Sequence, residues 1–159
     1  LPISSQQLEV IGSIDFEHPY IGFQEFHYIQ GETSYRDICS ARTFGFYREL
    51  VYLKSKGLAR GASMHNVVAL TPVDIMNPEG LRYHDEFIRH KVLDALGDIK
   101  LAGIGLLGKI RLHRAGHDVH HQLLLSVFKD KENYRIIDSN NQEDEITQEL
   151  LVSLSRLAV

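Results

Sequence analysis

One stretch constrains this chain more than any other: residues 82–98, which read RYHDEFIRHKVLDALGD. At about 100° per residue, a helix here places Ile88, Val92, Ala95, Leu96 and the following Ile99 on one arc. His90, Lys91, Asp94 and Asp98 fall on the opposite arc, within about 100° of one another. One side of such a helix packs, and the other presents an imidazole, two carboxylates and an ammonium together. His90 and Asp94 stand at i and i+4, so they point the same way from successive turns. That spacing suits two ligands of one metal ion, as in the His-x-x-x-His of metalloproteases with a different second ligand. It also suits a solvated ion pair, the commoner meaning of a His and an Asp at this distance. The crowding of four ionisable groups on one arc favours the metal reading, because a solvated face more usually mixes in Ser or Gln.

The 159 residues suffice for one domain with a hydrophobic core. A net charge of -4 without a long basic run argues against non-specific nucleic-acid binding. The single cysteine, Cys39, excludes an intramolecular disulfide and a cysteine-built zinc site. It suits a reducing compartment, and a cytoplasmic location is expected. No apolar run is long enough for a transmembrane segment. The opening LPISS reads as a linker, so a piece of a longer protein is expected.

Taken in order, Gln7–Phe16 and the alternating Ile21–Gln30 read as two paired strands. Residues 31–34 turn the chain, and Thr33 or Ser34 can cap a short helix running to Cys39. The compact segment ARTFGF (41–46) precedes a helix over Tyr47–Lys56, with Gly57 as its stop. Leu58–Leu70 reads as a loop and a strand, ended by Thr71-Pro72. Leu101–His113 reads as β-like, with glycines at 103, 105 and 108 marking bulges or close approach. A helix then opens around Ala115-Gly116-His117 and runs to about Phe128. His117 lies at its N-terminus, where the dipole disfavours a charged imidazole unless a carboxylate such as Asp98 compensates. His120 and His121 read as solvated helix residues. His117 with His120, at i and i+3, makes a weaker candidate metal pair. Tyr134–Asp138 reads as a last strand, residues 139–145 as an acidic loop, and Ile146–Val159 as an amphipathic terminal helix.

Three segments, ARTFGF (41–46), DEFIRHKVLDALGD (85–98) and AGH (115–117), together resemble the UDP-3-O-acyl-N-acetylglucosamine deacetylases of lipid A biosynthesis. SIDFEHPYIG (13–22) and GASMHNVV (61–68) fit the same pattern, in the same order and with similar spacing. The resemblance implies a zinc amidase of two similarly folded domains with the active site between them, of which this chain matches the second. It implies an α+β fold, a two-layer sandwich of a mixed β-sheet against two main helices, with a small inserted β-containing segment. The domain would span residues 1–138 with the insert at 58–81, leaving 139–159 as loop and tail. His90 and Asp94 would supply two of three protein ligands to zinc. The third ligand, a His, and a Glu acting as general base would come from a Glu-His-Leu segment of the N-terminal domain, the implied partner; that segment does not occur here.

The same resemblance assigns Thr43 to stabilising the oxyanion, Lys91 to positioning the substrate, and His117 to protonating the leaving amine with Asp98 as its paired carboxylate. Phe44 and the small residues of 58–70, with Ala59, Ser63, Val67 and Ala69 among them, would form an apolar passage for the acyl chain. Two positions depart from the pattern: His65 stands where an acidic residue is usual, and His120-His121 stand where Asn-Asn is usual. A rival from another class is a stand-alone, non-catalytic domain that binds the nucleotide-sugar or a partner protein. A third reading, a generic α+β domain with a solvated helix face, leaves the joint occurrence of the three segments unexplained.

Overall fold

The computed structural model describes residues 7–103 and 105–129. The linker at 1–5 and the strand, loop and helix expected after residue 133 lie outside them.

Strand β1 (Leu8–Phe16) is central in a three-stranded sheet. It pairs antiparallel with β2 (Gly22–Ile29), Glu9 opposite Ile29 and Phe16 opposite Gly22, and parallel with β5 (Gly108–His113), Leu8 opposite Gly108. The period of two puts Leu8, Val10, Ile14 and Phe16 on the face covered by helix α2 (Glu86–Lys100). Their core partners on α2 are Phe87, Ile88, Val92, Ala95 and Ile99; all but Phe87 belong to the apolar arc expected from the sequence, whose Leu96 is only partly buried against this core. Helix α3 (His117–Lys129) adds Leu123 and Val127 to the same core. Gly12 permits the seating of α2: a Cβ there would stand 2.6 Å from Val92 Cγ2 and 3.1 Å from Ile88 Cδ1.

A second, two-stranded parallel sheet joins β3 (Thr43–Phe46) to β4 (Val67–Leu70), with α1 (Tyr47–Ser55) as the crossover. Val68 and Leu70 face the main core, while Val67 and Ala69 are buried on the opposite face. Gly45 shares that opposite face, and a Cβ there would lie 3.6 Å from Leu50 of α1. Gly57 ends α1 as expected: at φ +74° it donates to Lys54 O, and the Leu58 N–H reaches back to Leu53 O.

The fold class is therefore the expected one, α+β with a mixed sheet and helices packed against it. Residues 43–46 of the ARTFGF segment form strand β3. Two boundaries differ. The long helix begins at Glu86 instead of Arg82, because the Glu86 carboxylate draws in the Arg82 N–H at 2.7 Å and holds that stretch as a turn. The β5 ladder begins at Gly108 instead of Leu101, because tight turns at Leu101, Ala102 and Gly103 (φ +71°) close α2 first. Ser34 caps the single-turn 3-10 helix Tyr35–Asp37, whereas Thr33 Oγ1 accepts from Ile29 N instead.

Candidate active site

Helix α2 carries the site, one group per turn. Glu86, fully buried, accepts from the Arg42 backbone N–H at 2.9 Å, from Arg42 Nε at 2.9 Å and Nη2 at 3.0 Å, and from Arg82 N. Burial by itself raises the Glu86 carboxyl; the hydrogen bonds from Arg42 and Arg82 outweigh it and hold it below the ordinary glutamate value. Arg42 spends its remaining donors on Glu79 Oε1, Gly80 O and, at 3.4 Å, Met64 O.

One turn later, His90 Nδ1 lies 2.9 Å from Ala41 O. A carbonyl only accepts, so Nδ1 carries a proton and donates; in the neutral ring the lone pair is then on Nε2. Ala41 C=O and Arg42 N–H belong to one planar peptide group. Glu86 and His90, at i and i+4, thus grip the same peptide from its two ends.

The freed His90 Nε2 lies 3.3 Å from Asp94 Oδ1, and both side chains are half-buried. Two ligands of a tetrahedral zinc with bonds of about 2.0–2.2 Å stand about 3.3 Å apart, so the pair fits such an ion. The outward tie of Nδ1 to a carbonyl is the usual support of a metal-bound imidazole.

One turn further, Asp98 Oδ2 accepts two hydrogen bonds, from His117 Nδ1 at 2.6 Å and from His120 Nδ1 at 2.7 Å. Burial raises the Asp98 carboxyl, but the bonds from His120 and His117 prevail and keep it below its ordinary value. Asp98, His117 and His120 gather ligand atoms within 4.8 Å, close enough on proximity alone for a metal ion. Their separations from Asp98 Oδ2 are hydrogen-bond lengths, however, well inside the roughly 3.3 Å that ligands of one tetrahedral ion keep. The cluster is a hydrogen-bonded His–Asp–His array, and the His90–Asp94 pair has the better metal geometry.

His120 departs from its expectation as a solvated residue. It is 1% exposed and sits on the buried stripe of α3 with Leu123, Leu124 and Val127. That i, i+3, i+4, i+7 spacing was the available signal. His121 is exposed, as expected. Arg42, Glu86 and Ala41 carried no local signal, because the Arg42–Glu86 and Ala41–His90 contacts span 44 and 49 residues.

The other sequence-predicted residues surround this row. Thr43 is exposed at the start of β3, two residues after Ala41. Lys91 is half-buried beside Gly116 at the start of α3, its Nζ 4.0 Å from where a Gly116 Cβ would stand. The Phe44 ring packs edge-on against Phe87 and Phe16, with centroids 5.0 and 6.1 Å away, which spends much of it in the core. Ala59 (φ +49°) and the exposed Ser63 lie in the loop before β4, with Ser63 tied to Asn66. A recess of about 440 Å3 opens beside Asp98 and His117, walled by His121 and the apolar Leu101, Leu125 and Phe128.

A profile of the UDP-3-O-acyl N-acetylglycosamine deacetylase family, LpxC, matches residues 1–129. The chain belongs to this family. It is 46% identical over 139 residues to the UDP-3-O-acyl-N-acetylglucosamine deacetylase of Sulfurimonas denitrificans, covering 87% of this chain and 46% of that protein. It is 45% identical to the deacetylase of the same name from Aliarcobacter butzleri, over 83% of this chain and 44% of the relative. For the Myxococcus xanthus deacetylase the identity is 44%, over 82% and 42%. The chain thus spans less than half the length of these relatives. Among the described residues, no helix is long and apolar enough to cross a membrane.

Proposed function

We propose that this chain supplies the C-terminal half of a zinc-dependent amidase that removes the acetyl group from UDP-3-O-acyl-N-acetylglucosamine in lipid A biosynthesis. The relatives' names support the substrate and the reaction. The observation that carries the metal is the His90–Asp94 pair, with its tautomer fixed by Ala41 and its 3.3 Å ligand spacing. Zinc, when bound, polarises the amide carbonyl and makes a water nucleophilic near neutral pH.

In this reading His90 Nε2 and Asp94 Oδ1 are two protein ligands, and an N-terminal domain provides the third with the general base. The Thr43 hydroxyl donates to the acetyl oxygen as it gains charge. His117, its Nδ1 tied to Asp98, holds a proton on Nε2 and passes it to the sugar nitrogen as the C–N bond breaks. The water oxygen stays on the acetyl carbon, and acetate leaves with the free amine. Lys91 positions the substrate, while Phe44, Ala59, Ser63, Val67 and Ala69 border the acyl chain's path. A cytoplasmic location belongs to the same reading, and the exposed free thiol of Cys39 supports it.

The test is zinc stoichiometry and deacetylation of the acylated UDP-sugar, for this chain alone and with the N-terminal half of a relative. Zinc and turnover only in the mixture, and neither in His90→Ala, is the expected result. No zinc and no turnover in either setting would overturn the reading and leave a non-catalytic nucleotide-sugar- or partner-binding domain.

A further inference from the structure

His120 has one ring nitrogen accounted for and one not. Nδ1 donates to Asp98. Nε2 is then an acceptor, enclosed in the protein, with no hydrogen-bond partner among the described residues. Leaving such an atom unpaired is costly, and native proteins seldom do so without a water or ion at hand. Beside it, between β1, α2, β5 and α3, lies a small cavity of about 10 Å3. A single water needs about 10–15 Å3 and two or more polar partners. The wall offers two, His120 and Lys91, with Ile88, Val92 and Leu112 completing an otherwise apolar lining; the Ser13 hydroxyl is engaged by His113 on the other face of the sheet.

We propose that this cavity holds one water that accepts from the Lys91 ammonium and donates to His120 Nε2, making His120 a positioning residue for the Asp98–His117 pair. The hydrogen bonds then run unbroken: Lys91 to water, water to His120, His120 Nδ1 to Asp98 Oδ2, and His117 Nδ1 to the same oxygen. Asp98 is pinned from the core side by His120 and from the solvent side by His117. The water also links Lys91, one residue from the metal pair, to the acid at the start of α3. The charged and titratable groups around this array are Lys91 from α2 and His117, Asp118 and His121 from α3. From β1 and β5 the cavity receives Gly12, Ser13, Ile14 and Leu112, none of them charged.

The catalytic part of the inference rests on the deacetylase reading, so its test has an arm that does not. In the zinc-loaded complete protein, nitrogen-15 NMR of the imidazoles should show His120 neutral, protonated on Nδ1, with Nε2 shifted as a hydrogen-bond acceptor. A proton on Nε2 would overturn the proposal whether or not the protein turns over any substrate. In kinetics, His120→Leu should lower kcat by about 10- to 100-fold, the usual cost of losing such a support, with KM unchanged. The acid limb of its kcat profile should move to higher pH, because Asp98 loses a bond that favours its charged form. His120→Asn keeps an N–H for Asp98 and should recover most of kcat; it also serves if the Leu variant fails to fold. A His120→Leu enzyme with unaltered kcat and pH profile, or an Asn variant as impaired as Leu, would sink the idea.

Discussion

Glu86 and Asp94 are carboxylates two turns apart on the same helix, and the protein treats them oppositely. Glu86 accepts four hydrogen bonds, three from Arg42 and one from Arg82, and is fully buried. Asp94 is half-buried, with its Oδ1 turned toward His90 Nε2 at 3.3 Å. A carboxylate whose acceptor capacity is filled by the chain is committed to holding the fold. One that faces another unprotonated acceptor has an arrangement stable only around a proton or a cation. The difference lies in the surroundings, not in the residue type.

The contrast can be broken most strongly at its structural end. Arg42→Met leaves Glu86 as an unpaired buried charge and should cost about 3–5 kcal/mol, read from denaturant unfolding. Arg42→Met with Glu86→Leu removes both charges and should recover most of that loss. The pH dependence has a definite sign. Glu86 titrates below its ordinary value of about 4.3, so its stabilisation is present above that pH and is lost as acid carries the pH through its lower folded value. The double variant should show a shallower acid limb in its stability profile; an unchanged limb would mean that other groups govern acid unfolding.

A smaller effect tests whether the seating of α2 sets both carboxylates. Gly12→Ala drives a methyl against Val92 and Ile88 and should cost about 1–3 kcal/mol. It should also displace His90 relative to Ala41, visible as a weakened Nδ1 hydrogen bond by NMR. The smallest stability change is expected at the chemical end. Asp94→Asn should abolish stoichiometric zinc in the complete protein, yet alter the unfolding of the metal-free form by no more than about 0.5 kcal/mol. A large loss of metal-free stability would mean that Asp94 is structural after all.

Much of the fold was legible because it is written in local periodicity. The apolar arc of α2, the alternation in β1 and β2 and the glycine stop of α1 all depend on neighbours within a few residues. The His90–Asp94 spacing was legible for the same reason. What escaped the sequence were interactions between distant segments. The start of α2 moved by four residues because the Glu86 carboxylate draws in the Arg82 N–H, and that carboxylate is held in place by Arg42, 44 residues away, a pairing no local pattern encodes. His120 was misjudged for a different reason: its polarity suggested solvent, while its place on the stripe with Leu123, Leu124 and Val127 indicated the interior. Asp98 overrode the ordinary preference of an imidazole for the surface by satisfying one of its nitrogens.

The support of His90 comes from a main-chain oxygen, that of Ala41. No substitution at position 41 can delete that atom. Sequence drift there is limited only by space, since Ala41 is buried. The aim of the imidazole is thereby insulated from point mutation and inherited from the path of the backbone, so it changes only if the fold itself does.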